Sequence, residues 1–156
     1  MSDLGARARA WLPERPDRLI GHGHPAGDFL EAYDWTVLAE RPGFLRLDVH
    51  LHDRVKNPLG TLFGGFTPTY VDLVALFTVR AGRGGWGAGW LATTNMRIDY
   101  FEPVRGPRFV IESELKKERR RLKFVETRFL DQDGTLLVFA LTTMREVAFD
   151  KALGDV

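Results

Sequence analysis

The sequence predicts an α+β domain in which a curved antiparallel sheet of about six strands wraps around one long helix. Three observations carry this. The run from Tyr70 to Val79 is apolar on every side except for Asp72, and such a helix loses its surface to water only when a sheet encloses it. Six other segments, 35–40, 44–51, 93–100, 108–115, 122–130 and 135–145, have strand character. Short turns such as Arg41-Pro42-Gly43 and Asp133-Gly134 join several of them, and turns that short connect antiparallel neighbours.

In chain order, residues 1–26 hold three prolines and little periodicity, which predicts a short helix over 4–12 and an extended lead-in, an extension to a domain spanning 27–146. Asp28, followed three residues later by Glu31, reads as a capping box that starts a short helix over Phe29 to Tyr33. The strand 44–51 alternates Leu45, Leu47, Val49 and Leu51 with Arg46, Asp48 and His50, the pattern of a half-buried strand paired in a hairpin with 35–40.

The stretch from Asn57 to Arg80 changes character in its middle. Its first half carries Gly60, Gly64 and Gly65 with Pro58 and Pro68, so it bends and lets its backbone approach something closely. The helix then begins near Phe66, with Pro68 tolerated in its first turn. Residues 81–90 contain five glycines and form a loop. The G-x-G-x-x-G from Gly82 to Gly87 lies between a helix and a strand, the reverse of the order a dinucleotide site needs. The strand 93–100 ends at Pro103 and Gly106, 108–115 and 122–130 join through the charged tip KKERRR, and 135–145 reads as a central strand before a tail over 147–156.

The totals exclude several functions. The 156 residues suffice for one core, and 22 basic against 21 acidic side chains, without a one-sign block, give no reason to expect nucleic acid or a membrane surface as partner. There is no cysteine, which removes thiol catalysis, zinc–thiolate sites and disulfides and fits a reducing compartment. The only serines are Ser2 and Ser113, neither in G-x-S-x-G, so a serine hydrolase is excluded as well. No apolar run is long enough for a membrane helix and the start lacks the apolar centre of a secretory signal, so the expectation is a cytoplasmic protein.

The spacing Asn57, Gly60, Gly64, Gly65, Asp72, with the later strand TTNMRIDYFEPVRG, resembles the hotdog-fold acyl-coenzyme A thioesterases of the phenylacetate-pathway and thioesterase-superfamily-member type. The resemblance covers residues 28–146. It implies a hotdog fold, a homodimer or a tetramer of paired dimers, acyl-coenzyme A as substrate, no cofactor and no metal. By position it makes Asp72 the general base or nucleophile, gives the Gly64 amide the thioester carbonyl oxygen to hold, lets Asn57 orient the carbonyl or water, and puts Thr93 where relatives supply a hydroxyl from the neighbouring subunit. Where the family has histidine before the paired glycines, this chain has Phe63, which removes a hydrogen bond to substrate. A non-catalytic acyl-ligand module on the same fold is the alternative. A dehydratase of related fold pairs a histidine with its acid, and none lies near Asp72 in sequence.

Those residue types suit the chemistry. Thioester hydrolysis builds negative charge on one oxygen, which an amide at the positive end of a helix stabilises. A carboxylate in an apolar surround is a stronger base than a free one. Gly65 and Phe63 would adjoin the substrate, while Arg105, Arg119, Arg120 and Arg121, with Lys123, are either solvated charge or a cradle for coenzyme A phosphates. Tyr70, Phe77, Trp86 and Trp90 would set the depth of an acyl pocket, Trp86 and Trp90 either lining it or only packing the loop. His22 with His24, and His50 with His52, are H-x-H pairs that lack a third metal ligand at recognisable spacing.

Overall fold

The run of apolar residues in mid-sequence forms the expected helix, and everything else is laid around it. The computed structural model describes residues 11–83 and 89–148. The elements are α1 (Pro25–Phe29), a 3-10 turn (Ala32–Asp34), β1 (Thr36–Arg41), β2 (Phe44–His50), a 3-10 turn (Asp53–Val55), a third (Gly64–Phe66) leading into α2 (Thr67–Arg80), then β3 (Gly89–Tyr100), β4 (Arg108–Arg119), β5 (Leu122–Leu130) and β6 (Leu136–Ala148). The strands form one sheet in the order β1-β2-β4-β5-β6-β3, and every pair is antiparallel.

The sheet curves because its ladders are interrupted. Register shifts fall between Val37 and Ala39, Thr93 and Asn95, Leu115 and Lys117, and Phe129 and Leu130, and bulges of this kind bend strands. The concave face holds α2, whose Tyr70 stacks on Trp35 at 5.6 Å and meets Phe109 and Phe129 edge-on at 5.8 and 6.0 Å. All four rings are wholly buried, and each such side chain contributes about 1.5–3 kcal/mol through loss of apolar surface to water.

Four local expectations need correction. The first helix starts at Pro25, not Phe29, because His24 caps it and proline suits the first helical position. Asp28 sits inside that helix and accepts from the Gly23 N–H. β3 begins at Gly89, four residues before the alternation becomes visible, and β6 reaches Ala148, because Gly89 and Ala148 pair with each other. The charged tip shrinks to Arg120 and Arg121, since pairing of β4 with β5 continues past the bulge to Arg119 and Leu122; Arg120 takes the left-handed φ of 55° that the tight reversal needs.

The lead-in belongs to the core. Ile20 is 1% exposed, and Arg18 bridges to Thr36. The helix expected over 4–12 lies almost wholly outside the described residues, as do 84–88, with Trp86, and 149–156. No helix among the described residues is long and apolar enough to cross a membrane.

Candidate active site

The glycine-rich loop is a pinned structure. Asn57 closes it on itself: its Oδ1 accepts from the N–H groups of Leu59 and Thr61 at 3.0 and 3.1 Å, and its Nδ2 donates to Thr61 Oγ1 at 2.9 Å. Leu62 and Phe63 then donate to the carbonyls of Val104 and Val55, each at 2.9 Å. The amide of Asn57 is therefore used by its own loop.

The loop delivers Gly64 and Gly65 to the start of the helical stack, where the first N–H groups have no intrahelical acceptor. Their donors are strengthened from behind. Phe66 N–H donates to Phe63 O at 2.9 Å, which polarises the peptide carrying the Gly64 N–H. Tyr100 OH donates to Gly64 O at 2.7 Å, which does the same for the Gly65 N–H. A Cβ on Gly64 would make only ordinary contact, 3.6 Å, with the Tyr100 ring, whereas one on Gly65 would strike the Phe63 ring at 2.6 Å. Neither glycine has a positive φ. The fold therefore has no steric or backbone need of glycine at position 64.

Asp72 is the only exposed residue of the fourteen in α2. It opens on a cleft of about 460 Å³ lined also by His24, Leu76, Trp90, Thr93 and Met96. The Thr93 hydroxyl donates to Asp72 Oδ1. Within the one chain this hydroxyl already reaches the acid, because β3 passes directly beside α2. One expectation changes here. The apolar surround expected around the acid is present only on the inner faces of the helix, since the single chain leaves the carboxylate open.

Within one chain the two halves of the expected site stay apart. Gly64 and Asp72 are eight residues apart on a continuous helical stack, a rise of about 12 Å, and Gly64 faces a different hollow, of about 300 Å³, with Thr61, Tyr100 and Phe101. The arginines also separate. Arg105 bridges to Thr61, whereas Arg119, Arg120 and Arg121 lie at the far end of the twelve-residue β4, roughly 35 Å away at the usual strand rise. One chain cannot gather them around one phosphate group.

Two residues join the site that sequence reasoning did not place there. Tyr100 buttresses the glycine peptide, and its only sequence signal was its position in the strand ending Tyr-x-x-Pro. His24 is forty-eight residues from Asp72 yet lines the same cleft. Its Nδ1 accepts from the Gly27 N–H at 3.2 Å, which leaves the proton of the neutral ring on Nε2. Burial pushes its pKa down, against the pull of Asp28, so the neutral form prevails at pH 7. The His22 ring instead stacks on Tyr33 at 4.0 Å, so this H-x-H pair is divided between two environments.

A family model described as the thioesterase superfamily matches residues 59–138, eighty of the 156 residues. The chain belongs to the thioesterase superfamily. The matched span holds the paired glycines, Asp72, Thr93 and Tyr100. No curated protein sequence matches the chain. Solved structures share the hotdog fold of this thioesterase-superfamily chain. A hypothetical thioesterase protein with coenzyme A from Streptococcus pneumoniae is 17% identical over 76% of this chain and 92% of its own, with a TM-score of 0.65. Zebra fish thioesterase superfamily member 2 is 23% identical over 75% of this chain and 83% of its own, with a TM-score of 0.65. A Streptococcus mutans protein bound to acetyl CoA is 17% identical over 76% and 92%, with a TM-score of 0.65.

Proposed function

We propose that the protein hydrolyses an acyl-coenzyme A thioester to the free acid and coenzyme A, in a site completed by a second copy of the chain. The observation that carries this is the exposed carboxylate of Asp72, held by Thr93 at the mouth of a cleft on an otherwise buried helix. Membership of the thioesterase superfamily supports the reaction class, and the two streptococcal proteins with coenzyme A and acetyl CoA support the thiol.

The second copy follows from β3. It is an edge strand of twelve residues, with Thr93, Thr94, Asn95, Arg97 and Tyr100 exposed, and a long open edge is a template for pairing. Thr93 marks the acid and Tyr100 marks the glycine amides, seven residues apart on that strand. A two-fold antiparallel pairing centred between Met96 and Arg97 sets Thr93 of one copy opposite Tyr100 of the other. The acid of one copy then faces the amides of its mate, and the mate covers the carboxylate. The same pairing would turn the second copy's hairpin tip, tied to the Gly89 end of β3 by the Glu146 N–H to Arg121 O bond, toward Arg105 of the first, where these arginines would share a phosphate.

In the reaction, Asp72 takes a proton from water as the new C–O bond forms, and the Gly64 N–H holds the carbonyl oxygen as it becomes negative. The tetrahedral species collapses with cleavage of the C–S bond, and the thiolate leaves without needing a strong acid. His24, which lines the cleft, would donate to substrate through its Nε2–H, from a different element than the histidine that Phe63 replaces. In the nucleophilic variant Asp72 forms an anhydride that water opens; a single turnover in labelled water puts the label on Asp72 only by that route.

Release of free thiol from a panel of medium-chain, long-chain and aromatic acyl-coenzyme A thioesters tests the reading. Turnover abolished by Asp72→Asn upholds it; tight binding without release makes the protein a non-catalytic acyl-ligand module. A second reading rests on His24 sharing the cleft of Asp72, the pairing a dehydratase uses. Water addition to an enoyl thioester without thiol release decides for it.

A further inference from the structure

The second H-x-H pair, unlike the first, finds its third ligand in the fold. His50 ends β2, and His52 caps the turn after it. Asp34 closes the 3-10 turn before β1. One donor atom from each of Asp34, His50 and His52 lies within 4.8 Å of the other two. The rings of His50 and His52 meet edge to face at 4.3 Å.

The surroundings of His52 are those of a metal ligand. Its Nδ1 stands against the Glu31 carboxylate, which in turn accepts from Arg54 at 3.0 Å. A carboxylate on one ring nitrogen fixes the tautomer, orients the ring and leaves the other nitrogen as a lone-pair donor. That other nitrogen, Nε2, is buried without a hydrogen-bond partner. A buried polar atom left unpaired is costly, and a cation would satisfy it. Glu31 itself sits at a left-handed φ of 53°, an uncommon conformation for a residue with a side chain, and this geometry sends its carboxylate back to His52. On the outer side, Arg18 Nη1 is 3.8 Å from Asp34 Oδ1, so one carboxylate oxygen is left for a ligand.

We infer that Asp34, His50 and His52 form a binding site for a divalent cation of the zinc type, with Glu31 as the positioning group behind His52. Two imidazoles and one carboxylate favour zinc, cobalt or nickel over magnesium or calcium, which prefer oxygen. Donors around tetrahedral zinc stand about 3.4 Å apart at bond lengths near 2.1 Å, so binding requires side-chain rotations that draw the three inward by about 1 Å. A fourth position stays open to water. The ion would clamp the turn before β1 to the end of β2, closing the β1–β2 hairpin at its base. It takes no part in the chemistry at Asp72, because none of Asp34, His50 and His52 lines the cleft on which that acid opens.

The test is titration of the metal-free full-length protein with Zn²⁺ by calorimetry and with Co²⁺ by visible absorption. The expected result is one ion per chain, a cobalt spectrum of tetrahedral intensity, and a rise in Tm with Zn²⁺. His50→Gln, His52→Gln and Asp34→Asn should each abolish the spectrum, Glu31→Gln should weaken Zn²⁺ binding by at least about tenfold, and His22→Gln should leave binding unchanged. The inference is overturned if folded His50→Gln and His52→Gln proteins bind both metals as the parent does, or if the parent gives only a weak octahedral cobalt spectrum. Circular dichroism of each variant separates lost binding from lost folding, and thioester hydrolysis is measured independently of both.

Discussion

The Thr93 hydroxyl donates to the Asp72 carboxylate and so ties the middle of α2 to the edge strand β3. Because Asp72 is exposed in the chain, Asp72→Asn should leave Tm of the monomeric fold nearly unchanged while lowering kcat by at least about a hundredfold. Thr93→Val should lower kcat/KM roughly tenfold by losing one hydrogen bond to a charged group, and Thr93→Ser should restore it. Thiol release alongside thermal melting checks both.

Gly64 and Gly65 should respond oppositely to alanine. At Gly64 the added methyl meets only the Tyr100 ring at 3.6 Å, so folding is kept while the carbonyl oxygen loses its close approach, and kcat falls by about 10²–10³. At Gly65 the methyl strikes the Phe63 ring at 2.6 Å; the protein is destabilised, and adding Phe63→Ala relieves it. Chemical denaturation compared with kinetics separates the two effects.

If acid and amide act across two copies, an equal mixture of Asp72→Asn and Gly64→Val chains, each inactive alone, should regain activity on exchange of subunits. Random pairing yields one intact site in each mixed dimer, about a quarter of the parental rate. No recovery with confirmed exchange would place both groups in one subunit. Sedimentation of the same samples distinguishes the dimer from the tetramer of paired dimers.

His24 both caps α1 and lines the cleft. His24→Asn keeps a capping acceptor and removes Nε2, so it should lower kcat/KM with little change in Tm. His24→Ala should lose the cap too, about 1 kcal/mol. The folded ring has a depressed pKa, so its contribution to stability is present above the unfolded value of 6.5 and is lost as pH falls below it; His24→Asn should flatten that part of the stability profile.

Glu118 carries an acid-sensitive link. Hydrogen bonds from Arg83 and then from Lys123 pull its pKa down to about 2. A depressed carboxyl stabilises the fold above its unfolded pKa, 4.5, and that contribution disappears as pH falls from 4.5 toward 2. Glu118 is partly exposed, so the effect is small. Denaturant midpoints measured between pH 2 and 6 should show a shallower acid limb for Glu118→Gln.

Features that repeat locally or sit at short spacing were legible before any coordinates. The apolar run around Tyr70 could only be an enclosed helix, alternation marked β2, and the paired glycines eight and seven residues before Asp72 marked a functional stretch at one helix. Local signals failed at element ends. Pairing of Gly89 with Ala148 and the cap from His24 are set by partners elsewhere in the chain. Tertiary structure alone decided which distant residues meet. It brought His24 into the cleft of Asp72, gave Thr93 to the acid of its own chain, supplied Asp34 to the pair at His50 and His52, and held Arg105 apart from the hairpin arginines. Each of these depends on strand order and register, which follow from how the whole sheet closes on the helix, and no short window of sequence records that closure.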